Sequence, residues 1–350
     1  MKFFRSVFSV VAAVVLVLVS VYPAAAWNSS GSDGSYGAST FGGTSNDAGY
    51  GVAVDSSGNV YTTGNFAGTV DFGAGNVTSA GSADVFVTKL NASGVHQWTT
   101  TLGGTSNDLA TGVAVDSSGN VYTTGYFAGT VNFGGGNVVS AGNSDVFVTK
   151  LNTSGAHQWT TTLGGTSNDY GRGVAVDSSG NVYTTGYFQG TVNFGAGNVV
   201  SAGQNDVFVT KLNSSGVHQW TKTFGGTSND FGRGVAVDSS GNVYTAGTFA
   251  GTVNFGAGNV TSAGSFDAFV TKLNTSGVHQ WTKTLGGTSA DYGRGVAVDS
   301  SGNVYTTGYF AGTVNFGAGN VTSAGDDDVF VTKLNSSGVH QWTTTFGGTS

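Results

Sequence analysis

The chain of 350 residues has no cysteine, no glutamate, a single proline (Pro23) and only 9% charged residues. Without cysteine there is no disulfide staple, thiolate zinc site, lipoprotein anchor or thiol nucleophile. All 19 acidic residues are aspartate, so motifs built on glutamate, such as H-E-x-x-H, are excluded as well. Lysine and arginine together number 12 and form no run, and the net charge of −7 becomes −9 if Lys2 and Arg5 are lost with a leader. Nothing in such a chain can neutralise a row of phosphates, and no nucleic-acid partner is expected. Helical period and helix caps are also missing.

What is present in excess is glycine, 60 of 350 residues, more than twice the usual share of about 7%. That composition would suit a linker, but 38% of the residues are apolar and 12% aromatic. Spread along the whole chain, they can bury a core.

Residues 1–26 read as a secretory signal. Lys2 and Arg5 form a positive start, Val7 to Val21 an apolar run, and Ala24-Ala25-Ala26 a cleavage site that leaves Trp27 first. The alternative is an uncleaved anchor, because the apolar run is long for a signal. No other stretch is able to span a bilayer, so after cleavage the chain is expected to be secreted and extracellular, or held at the cell surface.

Self-alignment organises everything that follows. Phe41, Leu102, Leu163, Phe224, Leu285 and Phe346 each open the same segment, [FL]-G-G-T-S, continued by [NA]-D in all but the last, at a constant step of 61 residues. Five complete repeats result, 41–101, 102–162, 163–223, 224–284 and 285–345. Segment 27–40 precedes them, and its Ser35 to Thr40 fills the register of His96 to Thr101 with Gly37 in place of Trp98. Residues 346–350 start a further repeat and stop within the motif, which reads as a fragment of a longer array, with closure of the five blades on themselves as the alternative.

Within the first repeat four short strands are expected. Gly51 to Asp55 and Val60 to Thr63 flank a Ser56-Ser57-Gly58-Asn59 turn; Asp84 to Leu90 and Val95 to Thr101 flank Asn91-Ala92-Ser93-Gly94. Between the two pairs lies a glycine-rich excursion, Gly64 to Ala83, with room for a small extra hairpin. Strands one and three carry consecutive apolar residues (Val52, Ala53, Val54; Val85, Phe86, Val87), the pattern of strands buried on both faces. Identical sheets must then pack face to face. Radial stacking does this while leaving only short edges, which predicts an all-β fold, a β-propeller of four-stranded blades with one 61-residue repeat per blade. A solenoid would want a shorter period, and separate beads would want linkers.

The unit G-V-A-V-D-S-S-G-N-V-Y-T-T-G, then F-x-G-T-V-[ND]-F-G, S-A-G-x-x-D-x-F-V-T-K-L-N-x-S-G and H-Q-W-x-x-T-[FL]-G-G resembles the SBBP-type β-propeller repeat of secreted and surface-exposed bacterial proteins. Its first segment is also similar to the NHL-type repeat. The resemblance covers 41–345 and implies one repeat per blade. It brings no catalytic residues with it, and it implies more blades than the five repeats present.

Candidate chemistry is read repeat by repeat. The five histidines (His96, His157, His218, His279, His340) share one register on the fourth strand and cannot converge. The tryptophans beside them (Trp98, Trp159, Trp220, Trp281, Trp342) read as packing between blades, where each buried indole N–H needs the same acceptor. Asp55, Asp116, Asp177, Asp238 and Asp299 sit in D-S-S-G-N turns and read as turn acceptors. No G-x-S-x-G or G-x-G-x-x-G occurs. Identical residues in every repeat also argue against an enzyme, whose site needs different groups in different roles.

Two further aspartate sets belong to loops expected on one face: Asp47, Asp108, Asp169, Asp230 and Asp291, and Asp84, Asp145, Asp206, Asp267 and Asp328. Differences between repeats collect on that face too. They fall in Ala48-Gly49-Tyr50, Leu109-Ala110-Thr111, Tyr170-Gly171-Arg172, Phe231-Gly232-Arg233 and Tyr292-Gly293-Arg294. They also fall at Asn65, Tyr126, Tyr187, Thr248 and Tyr309, and in the pair before the second aspartate, from Ser82-Ala83 to Asp326-Asp327. Drift in exposed loops gives the same pattern. As binding surface, the face offers Tyr50, Tyr126, Arg172, Tyr187, Arg233, Arg294 and Tyr309, with the Asp47-type carboxylates, to a polysaccharide or protein ligand. Asp326, Asp327 and Asp328 are the densest acidic cluster and the weak candidates for Ca²⁺, though the spacing of known calcium loops is missing. Otherwise no cofactor is expected. The reading is a noncatalytic binding or scaffold module. The alternative is a secreted hydrolase or lyase using Asp47-type carboxylates in a central funnel, and a third possibility is a fragment of an adhesin.

Overall fold

A computed structural model describes residues 40–349. The signal sequence, the N-terminal segment up to Ser39 and the terminal Ser350 therefore lie outside the described residues. Those described form 26 strands and no helix, and contain no helix long and apolar enough to cross a membrane. The chain divides into two compact units, 1–162 and 163–350. The repeat boundary at Leu163 is also the boundary between the units.

Repeat 224–284 shows how the sequence builds one sheet. The first strand, Phe231–Val237, pairs antiparallel with the second, Val243–Phe249. The second pairs with Asp267–Leu273, and that strand with His279–Leu285. The first hairpin turns on Asp238, whose carboxylate accepts the backbone N–H of Ser240 (2.9 Å) and Asn242 (2.9 Å), the Asn242 side-chain amide (2.8 Å) and the Tyr244 hydroxyl (3.0 Å). Gly241 supplies the positive φ of 78° that this turn requires. Burial opposes ionisation of Asp238, but these bonds outweigh it and hold its pKa below the ordinary carboxylate value.

The glycine-rich excursion folds into the extra hairpin, Thr252–Asn254 with Asn259–Thr261. It swings Phe255 edge-on against Phe249 (5.4 Å) and beside Phe269 (4.8 Å), closing an aromatic core over one face of the sheet. Burying such rings contributes roughly 1.5–3 kcal/mol each.

The buried strands differ in part from the expectation. The third is buried almost throughout, as its pattern predicts, but the first is only half-buried and the second is buried at every position. The polar look of V-Y-T-A-G-T-F misleads because Thr245 finds an acceptor inside the sheet, while the Thr248 hydroxyl is buried without a partner. Thr245 donates to the Gly234 carbonyl (3.1 Å) and shares a hydrogen bond with Thr185 of the preceding repeat (3.2 Å). A hydroxyl so paired loses little on burial.

Successive sheets are fastened by the tryptophans. Trp98 donates its indole N–H to the Thr153 carbonyl at 3.0 Å within the first unit; in the second, Trp220 donates to Thr275 at 3.1 Å and Trp281 to Ser336 at 3.2 Å. Each acceptor lies 55 residues on, in the next repeat's N-x-S-G turn. Inner strands approach one another just as closely. A Cβ on Gly234 would lie 3.1 Å from the Val296 nitrogen and 3.2 Å from the Arg294 carbonyl oxygen.

Gly247→Ala tests the register, because the new methyl is driven into the Phe231 carbonyl oxygen across the first hairpin. A loss of about 1–3 kcal/mol is expected, read as a lower urea midpoint. An unchanged midpoint would mean that these two strands do not pair as described.

Candidate functional site

The loop face is built on buried carboxylates. In the second unit Asp169 accepts the N–H of Gly165 (2.8 Å) and Gln189 (3.1 Å), Asp230 those of Gly226 (2.9 Å) and Ala250 (3.0 Å), and Asp291 those of Gly287 (2.7 Å) and Ala311 (3.2 Å). Asp108 and Asp47 do the same in the first unit, Asp108 to Gly104 and Ala128, Asp47 to Gly43 and Ala67. One carboxylate thus ties the repeat's opening segment to its glycine-rich excursion. Asp108, Asp169, Asp230 and Asp291 are completely buried, and their oxygens are turned into the fold.

The second aspartate set meets the first across repeat boundaries. Asp206 accepts the Ala202 N–H at 2.7 Å, while its other oxygen is buried without a partner. Burial pushes the Asp206 pKa up to about 6. Burial likewise raises Asp230 to about 7, against its two backbone hydrogen bonds and with a contribution from the Asp206 charge. Asp108 in the first unit is raised to about 6 for the same reasons, with Asp84 as its charged neighbour.

Immediately after each Asp47-type residue the first strand bulges. Pairing shifts between Gly171 and Gly173, between Gly232 and Gly234, and between Gly293 and Gly295. The residue left out of the ladder is Arg172, Arg233 or Arg294, and a bulge of this kind redirects the side chain it carries. In the first unit the same shift leaves out Tyr50, 42% exposed, and Thr111.

In the second unit these arginines lie on aromatic rings. Arg172 stands over Tyr170 (5.4 Å) and Tyr187 (5.2 Å) and donates to the Tyr187 hydroxyl at 2.6 Å. Arg233 stands over Tyr187 (5.7 Å) and Phe231 (5.2 Å), and Arg294 over Tyr309 (5.2 Å), to whose hydroxyl it donates at 2.9 Å. The rings touch in sequence: Tyr170 to Tyr187 at 5.1 Å, Tyr187 to Phe231 at 4.8 Å and Phe231 to Phe266 at 6.2 Å. Phe266 to Tyr292 at 5.7 Å and Tyr292 to Tyr309 at 4.7 Å complete the series. Burial, then repulsion from Arg172 and Arg294, lowers the Arg233 pKa to about 10. It is charged at neutral pH.

Among the sequence candidates, Arg172, Tyr187, Arg233, Arg294 and Tyr309 are therefore brought together. Tyr50 and Tyr126 belong to the first unit, where Tyr126 pairs across strands with Leu109 and Val146. Tyr170, Phe231, Phe266 and Tyr292 complete the cluster although the sequence reading names no contact role for them. Their signal was the variable tripeptide before each arginine and the variable pair before Asp267. Asp326 and Asp327 are exposed, whereas Asp328 is buried and accepts the Ala324 N–H at 2.8 Å. Among the described residues no three acidic or histidine side chains converge as metal ligands. Each fourth-strand histidine is held locally, as His279 Nε2 is by the Thr282 hydroxyl at 3.0 Å.

The carboxylates set a pH dependence. Asp108, Asp206 and Asp230 keep protons in the folded state that the unfolded chain releases near pH 4. Their stabilisation is complete below about pH 4 and is lost as pH rises through 6 to 7. The turn aspartates Asp177, Asp238 and Asp299, with lowered pKa values, act oppositely and lose their contribution in acid. Urea midpoints are therefore expected to peak at about pH 4–5 and fall toward neutrality, with a shallower fall in Asp230→Asn. A midpoint that rises from pH 5 to 7 would contradict this assignment.

Comparison with known proteins returns the repeat. The SBBP β-propeller repeat matches residues 41–65, 97–126, 158–187, 219–248 and 280–309. A curated relative described as an uncharacterized WD repeat-containing protein of Acanthamoeba polyphaga mimivirus is 25% identical over 240 residues, covering 56% of this chain. Another, the regulatory protein FlaEY of Caulobacter vibrioides, is 27% identical over 277 residues, covering 73% of this chain. The chain spans only 17% and 29% of the length of these two relatives. With the repeat matched five times along an all-β chain, in which repeat 224–284 forms a four-stranded antiparallel sheet, the chain carries SBBP β-propeller repeats.

Proposed function

We propose that the chain is a noncatalytic binding or scaffold module, secreted or displayed at the cell surface, whose contact surface in the second unit is the arginine–aromatic cluster. The observation that carries this reading is where the repeats differ. Turns, tryptophans, histidines and buried aspartates recur and are consumed in holding the sheets, whereas Arg172, Arg233 and Arg294 stand on bulges that the repeat keeps and the sequence varies. A stiff scaffold presenting variable side chains from loop-proximal positions is how repeat proteins bind partners. Arginine and tyrosine are also the residue types that dominate binding energy at interfaces. The relatives bearing WD-repeat and regulatory names agree with such a role. The ligand is a polysaccharide or a protein, met outside the cell on the reading of residues 1–26 as a secretory leader.

Glycan and protein arrays probed with the folded chain lacking residues 1–26 test this reading. At least one ligand is expected to be retained, and Arg294→Ala, which removes the hydrogen bond to Tyr309, is expected to weaken it about tenfold, or about 1.4 kcal/mol. Retention of no ligand by a chain whose circular dichroism remains that of a β-sheet protein would overturn the proposal.

A further inference from the structure

The cluster's chemistry narrows the ligand, on the reading that this cluster is a binding surface. Arg233 makes no hydrogen bond or ion pair with any described residue; its contacts are the faces of Tyr187 and Phe231. Arg172 shares Tyr187 with it, so two guanidinium groups crowd one ring. Arg294 donates to the Tyr309 hydroxyl and faces no carboxylate within the described residues. An acidic chain of net charge −7 thus gathers three cations without pairing Arg233 or Arg294 to any aspartate among the described residues. Like charges held together in partial burial repel, and an anion placed among them relieves the cost. Guanidinium forks suit carboxylate and sulfate oxygens, which they meet with two parallel N–H donors.

The rings supply the second half of the argument. Tyr170, Tyr187, Phe231, Phe266, Tyr292 and Tyr309 form one continuous series of contacts. Tyr187 is buried and the other five rings are part-exposed, and such a track offers extended apolar surface with polar tips, which fits a chain of flat, C–H-faced pyranose rings. An acidic peptide brings charge but no repeated ring face. We propose that the arginine–aromatic track of the second unit binds an anionic polysaccharide, with sugar rings on the aromatic side chains and ring-borne carboxylate or sulfate groups on Arg172, Arg233 and Arg294. Burial, then Tyr309 and the Asp327 charge, push the Tyr292 pKa up, so Asp327 lies at the acidic limit of the track. The anionic groups therefore belong toward Arg233.

Affinity electrophoresis of the chain lacking residues 1–26 through polygalacturonate, dextran sulfate, neutral dextran and poly-aspartate tests this. Retardation by polygalacturonate, by dextran sulfate or by both is expected, the two gels distinguishing carboxylate from sulfate. Retardation should weaken with salt and fall at least tenfold in Arg233→Ala. Arg233→Lys keeps the charge and loses the fork, and should restore only part of the binding; Asp327→Asn should strengthen it. Equal retardation by poly-aspartate would overturn the saccharide assignment, and equal retardation by neutral dextran would overturn the role of charge. If neither anionic saccharide retards the chain while an array ligand is still held, this inference fails and the binding-module reading stands. If no array ligand is held either, both fail.

Discussion

A carboxylate that accepts two backbone N–H groups from different loops is the contact on which the loop face depends. Asp230 spans from Gly226 to Ala250, joining the segment that enters a repeat to the excursion that leaves its second strand. Removing a carboxylate from water is costly, and the two N–H donors are what make the burial tolerable. The next three residues are Phe231, Gly232 and Arg233. Whatever stands on the bulge is therefore placed by an interaction made one step earlier in the chain, and made identically by Asp169 and Asp291.

This arrangement separates what the repeat must keep from what it is free to change. Glycine on either side of the bulge lets neighbouring inner strands approach within contact of one another's backbone, as Gly234 does with Val296 and Arg294. The residue skipped at the bulge has no ladder partner. It can be tyrosine, threonine or arginine without disturbing the pairing, and in this chain it is each of these in turn. Variation between repeats falls on the one inner-strand residue that the sheet does not use.

Much of this was legible in the sequence. The 61-residue step, the aspartate turns, the small extra hairpin and the need of each indole for a recurring partner all follow from comparing repeats and applying turn and burial chemistry. The burial of the second strand was not legible, because threonine is polar by composition and apolar only once Thr245 has found the Gly234 carbonyl and Thr185. The bulge was hidden as well. Gly232 and Gly234 flank Arg233 in any register, and only the pairing shift shows which residue is expelled. The aromatic track escaped the reading for a third reason. Phe231 and Phe266 are 35 residues apart and Tyr187 lies in the preceding repeat, so their contact is set by how sheets stack and leaves no periodic trace.

The indole bond between sheets has a consequence for inheritance. Trp220 reaches a carbonyl of the peptide backbone at Thr275, and Trp281 reaches the same atom at Ser336. Because the acceptor is main chain, the side chain at that position does not matter, and any copy of the repeat can follow any other. Unequal crossing-over between near-identical coding segments removes or adds whole copies, and each product keeps the same fastening at every new junction. Such a gene can vary its copy number, and shuffle which surface residues stand side by side, without first inventing a new contact.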